Sequence, residues 1–83
     1  MAVYVMMIKE MENDKKVVYK FGPNEDKLGK IEFDKETRKF EVAEKVNDAS
    51  VSDEAYERWV VERIVRIVAR EGGIFPERTS VEK

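Results

Sequence analysis

Apolar and polar positions along this chain fall into two regimes. Over residues 3–46 they alternate in short runs separated by polar clusters, and over residues 52–73 they recur at helical spacing. A period of two marks half-buried strands; a period near 3.6 marks an amphipathic helix. Four strand-like runs come first. Residues 3–10 are apolar on both faces, which suits a strand covered on both sides or one that meets a second chain. Residues 17–21 place Val17, Tyr19 and Phe21 on one face and Val18 and Lys20 on the other. Residues 28–33 turn Ile31 and Phe33 inward and leave Lys30 and Glu32 in water. Residues 40–46 turn Phe40 and Val42 inward until Glu44 interrupts the alternation, which predicts a bulge or the end of pairing there.

The connections read as turns. Polar residues 12–16 reverse the chain, and Gly22-Pro23-Asn24 is a break followed by an acidic loop. Residues 34–39 form a hairpin connection in which Asp34 can accept backbone hydrogen bonds, and Arg38 or Lys39 takes a left-handed backbone at some cost.

The helix carries its own boundary signals. Ser50 or Ser52 can cap its first turn, and Asp53, Glu54 and Glu57 suit the positive end of its dipole while Arg70 suits the negative end. Gly72-Gly73 ends it, because glycine adopts the left-handed conformation without steric cost. Ile74 and Phe75 are expected to fold back on the last turn, and Pro76 prevents the helix resuming. Residues 77–83 read as a frayed tail. The predicted architecture is α+β: a four-stranded antiparallel meander packed against one C-terminal helix, ββββα, forming one domain over residues 1–76.

Composition narrows the chemistry. A chain of 83 residues buries only about 60–65% of its unfolded surface, so the core is small. It contains neither cysteine nor histidine, which removes disulfides, the usual zinc and copper ligands and the usual general base near neutral pH. Sixteen basic residues against eighteen acidic ones leave no bulk attraction to nucleic acid or to an anionic membrane. Residues 2–8 are apolar but lack a basic flank and a cleavage site, and no run reaches the roughly 20 residues that span a bilayer. The expected address is cytoplasmic.

Residues 18–23 (VYKFGP), 27–34 (KLGKIEFD) and 75–77 (FPE) resemble a group of short Firmicutes proteins of unknown function. The resemblance covers about the last three-quarters of the chain and implies no activity, cofactor or site residue. Residues 1–16 fall outside it and read as an extension.

No catalytic constellation emerges. The hydroxyls fall mostly in turns, caps or the tail, with no histidine to activate them. The pairs Glu32 with Glu41 and Asp34 with Glu36 sit beside lysines on expected solvent-facing positions. Asn24-Glu25-Asp26 gathers oxygens but is too short for a calcium loop, and Gly22 and Gly29 match no phosphate-binding spacing. The expectation is a non-enzymatic protein with no metal and no cofactor.

The helix surface is the better candidate. Trp59, Arg63, Arg66 and Arg70 recur at i, i+4, i+7 and i+11 and project into one sector beside the apolar face of Tyr56, Val60, Ile64, Ile67 and Val68. Tryptophan and arginine are enriched at protein interfaces, and the same pair can hold phosphates and stack on a base. A structural reading stands beside both: Trp59 lies over the sheet edge while arginine stems cover apolar strands. The apolar arc also runs on to Val61 and Val65, wider than the stripe of about 100° usual for a surface helix. That surplus either meets a second subunit or is covered by a curled sheet. The expected function is therefore a small protein-interaction module with a homodimer among its candidate forms. The alternative is a nucleic-acid-binding domain that uses the Trp/Arg stripe.

Overall fold

A computed structural model describes residues 4–46 and 52–82. Five strands and one helix occur in the order β1 (Tyr4–Glu12), β2 (Lys16–Asn24), β3 (Lys27–Asp34), β4 (Phe40–Glu44), α1 (Asp53–Arg70) and β5 (Arg78–Glu82). The strands form one antiparallel sheet in the order β4-β3-β2-β1-β5. The α+β class and the meander of the first four strands match the sequence. The strand count does not: residues 78–82, expected to fray, form a fifth strand on β1. Thr79 and Val81 alternate with Arg78, Ser80 and Glu82, and pairing with β1 buries Val81 in the core. β1 is consequently an interior strand between β2 and β5, with Val5 and Met7 fully buried.

α1 lies across one sheet face. Tyr56, Val60, Ile64 and Ile67 meet Val5, Met7, Val17, Tyr19, Phe21 and Ile31, all essentially inaccessible to water. Each such side chain contributes about 1.5–3 kcal/mol of transfer free energy. Val68, also placed on this face, is half-buried at its border. Ser52 Oγ accepts from the Ala55 amide at 3.2 Å and caps the helix; Ser50, the other candidate, lies outside the described residues. Gly72 and Gly73 both have φ near +70°, and the Gly73 amide reaches back to the Ile67 carbonyl at 3.1 Å. The chain then splits its two apolar residues. Phe75 folds under the helix against Tyr19 and Phe33, whereas Ile74, expected to do the same, is 77% exposed. Tyr19 Oη donates to the Pro76 carbonyl at 2.6 Å, which directs the chain from the helix into β5.

Three register shifts and one turn carry the remaining local detail. Glu10 is an extra residue between the Lys9–Tyr19 and Met11–Val18 pairs, so its carboxylate lies 3.1 Å from Lys30 Nζ and 3.9 Å from Lys20 Nζ. The expected disturbance near Glu44 is a register shift that leaves Ala43 unpaired between Val42 and Glu44. Gly22-Pro23-Asn24 does not break β2; the strand continues through it as a bulge, the place where a sheet tolerates proline. In the β3–β4 turn, Asp34 Oδ1 accepts from the Glu36 and Thr37 amides at 2.8 and 3.0 Å, and Arg38 takes φ of 59°.

Candidate functional site

Beside α1, the edge strand β5 leaves a groove of about 460 Å³. One wall is the helix, through Trp59, Arg63 and Arg66; the other is β5, and Val81 and Thr79 lie along it. Three of the four residues in the Trp/Arg sector read from the sequence therefore line one groove. Arg70, a turn further on, does not line it.

Each side chain there has a structural reason for its position. Trp59 is half-buried, packs on the core and meets the Tyr56 ring edge-on at 6.1 Å between centroids. It is a lid at the core's margin with one side facing the groove. Arg63 Nε donates to Thr79 Oγ1 at 3.1 Å and its Nη1 donates to Glu71 at 2.6 Å, so one guanidinium ties the helix to β5 and to the helix's own C-terminus. That guanidinium holds the Glu71 carboxyl below its ordinary range. A charge-assisted fork of this kind fixes the wall and its orientation. Glu62, Glu71 and Glu82 line the groove with the two arginines Arg63 and Arg66, though alternation along β5 turns the Glu82 side chain to the opposite sheet face.

The β5 backbone matters as much as its side chains. The Lys9 amide donates to the Glu77 carbonyl at 2.7 Å, which makes Lys9 and Glu77 a hydrogen-bonded pair. Such pairs alternate along an antiparallel ladder. In the observed register, Thr79 and Val81 therefore turn their backbone groups toward β1, and Arg78, Ser80 and Glu82 turn theirs outward. An outward row of this kind is a template for another strand. The sequence reading missed β5 because the segment is short and polar, although its period-two alternation was present.

The other predicted positions lie elsewhere. Val61 is half-buried against the core, whereas Val65 is 50% exposed. Val65 borders a shallow apolar depression of about 280 Å³ with Phe33, Phe40 and Val68, on the side of α1 away from β5. Glu32 and Glu41 are direct cross-strand neighbours as the sequence suggested, with Lys16 Nζ 3.1 Å from Glu32. Asp34 is committed to the turn, where its backbone hydrogen bonds from Thr37 and Glu36 hold its carboxyl low. Asn24 Oδ1 accepts from the Asp26 and Lys27 amides, so it too serves a turn. Among the described residues no cluster of acidic side chains has the geometry of a metal site, and no helix is long and apolar enough to cross a membrane.

No protein-family model matches the chain, and comparison with curated proteins and with solved structures finds no match to either.

Proposed function

We propose that this protein is a small, non-enzymatic interaction module whose contact surface is the groove between α1 and β5. The observation that carries the reading is the coincidence of three features in one place: outward backbone groups on β5, a tryptophan with one side facing the groove, and an arginine wall braced by Thr79 and Glu71. Rigid aromatic and arginine side chains beside a receptive strand edge are what protein recognition uses. The local charge supports a protein partner over nucleic acid. The two arginines stand beside the carboxylates of Glu62 and Glu71, which is a poor counter-surface for a polyanion. Trp59, T-packed on Tyr56, presents only part of its surface as a stacking platform.

A benzophenone amino acid placed at Arg66, with Glu25 on the remote β2–β3 turn as control, tests this in cells. The expected result is a discrete protein adduct from position 66 that survives nuclease and is absent from position 25. A nuclease-sensitive adduct, or no adduct above the control, overturns the reading.

A further inference from the structure

The outward edge of β5 is complementary to itself. Its outward residues are Arg78, Ser80 and Glu82, spaced two apart, with opposite charges at the two ends. Two copies of this strand run antiparallel about Ser80 would bring Arg78 opposite the partner's Glu82 and Glu82 opposite the partner's Arg78. All three are also the positions whose backbone groups face outward, so in that register the central pair and both charged pairs are hydrogen-bonded pairs. A register shifted by two residues in either direction loses both charge pairs.

We propose that the protein forms a twofold homodimer by antiparallel pairing of β5 with the partner's β5, centred on Ser80. This inference rests on the reading of the α1–β5 groove as a contact surface and names its occupant. The local twofold axis of an antiparallel strand pair stands perpendicular to the sheet. The two five-stranded sheets then become one of ten strands, with both helices on the same face. The two grooves merge over the central strands, with Thr79 opposite the partner's Val81 on the floor and a Trp59 wall on each side. The groove's mixed charge now has a reason. An isologous interface brings a patch against its own copy, so a patch with both signs can satisfy itself, whereas a one-sign patch repels. The pairing also covers an edge that no other described strand pairs with.

Sedimentation equilibrium on the full chain tests the idea with three variants. Ser80→Pro removes only an outward amide, so the monomer fold keeps its β1–β5 bonds while self-association weakens by on the order of tenfold or more. Arg78→Glu alone and Glu82→Arg alone each set like charges opposite one another and weaken the homodimer. Mixed together they form the heterodimer in preference to either homodimer, because both cross-strand pairs become complementary again. Circular dichroism of each variant confirms that the monomer stays folded. A dimer indifferent to Ser80→Pro, or a statistical mixture of the two charge variants, overturns the register. A wild-type chain that stays monomeric at millimolar concentration overturns self-pairing itself. In that case an adduct at Arg66 to a different protein would still support the interaction module, and the two proposals separate.

Discussion

Single residues hold this small fold at points where no substitute fits. A Cβ at Gly22 would lie 1.9 Å from the Lys27 carbonyl oxygen, and at Gly29 2.5 Å from that of Glu44. Both obstacles are backbone, which moves only by shifting a strand. Gly22→Ala is expected to cost about 2–3 kcal/mol, read as a lower urea midpoint with an unchanged slope. These glycines fitted no phosphate loop in the sequence, and their reason lies in strands that approach from elsewhere. Tyr19 is a second such point. Its burial raises the phenol's pKa to about 12, with the Glu12 carboxylate adding to the effect. Unfolded tyrosine ionises near 10. The stabilisation it brings is therefore whole below that pH and is lost as pH climbs toward 12. Tyrosinate absorbance at 295 nm should contain a late component, in step with alkaline unfolding, that Tyr19→Phe removes.

Elements were legible in proportion to the number of residues that repeat their pattern. α1 declared itself through its apolar stripe, a serine cap at Ser50 or Ser52 and its Gly72-Gly73 stop, and β3 through the clean alternation of Ile31 and Phe33. β2 ran further than expected because a bulge lets a sheet absorb Gly22 and Pro23, and sequence alone cannot distinguish a bulge from a break. β5 was hidden because its buried apolar content is a single residue, Val81. Its strand character is conferred by the open edge of β1. Removing residues 78–83 therefore tests more than a tail. It strips the edge of β1, uncovers Val5 and Met7, and unties Arg63 from Thr79. The truncated chain is expected to lose cooperative melting, since the loss is comparable with the roughly 5 kcal/mol such a domain has in total. Near-ultraviolet dichroism of Trp59 and the width of the melting transition report it; an unchanged transition would restore the frayed-tail reading.

At the scale of the molecule, charge closes the open end of the sandwich. Glu12 sits 2.7 Å from Lys35 and 2.8 Å from Lys9, and Lys9 also donates to the Phe75 carbonyl while Lys35 lies over the Phe75 ring. β1, the β3–β4 turn and the segment after α1 are thereby joined where the core ends. Hydrogen bonds from Lys35, then Lys9, hold the Glu12 carboxyl below its ordinary 4.5. Asp34 is lowered by backbone amides and Glu71 by Arg63. The unfolded chain takes up protons at these sites first as pH drops. Their stabilisation is thus complete above the ordinary carboxyl range and disappears as pH falls through the lowered values. The thermal midpoint should fall steadily on acidification below about pH 4.5, and Glu12→Gln should flatten that fall.

The sequence by itself determined what depends on near neighbours: the helix and its ends, the Asp34 turn with a left-handed residue at Arg38 or Lys39, which the structure assigns to Arg38, and the alternation that buries Tyr19, Ile31 and Phe33. It also placed Trp59, Arg63 and Arg66 in one sector, because a helix has a fixed period. The tertiary structure decided which strand lies beside that sector. Residues 78–82 have too little apolar content to specify their own state, and they become a strand only against β1. That single pairing turns a stripe of tryptophan and arginine into the wall of a groove, and turns a polar C-terminal segment into its receptive edge.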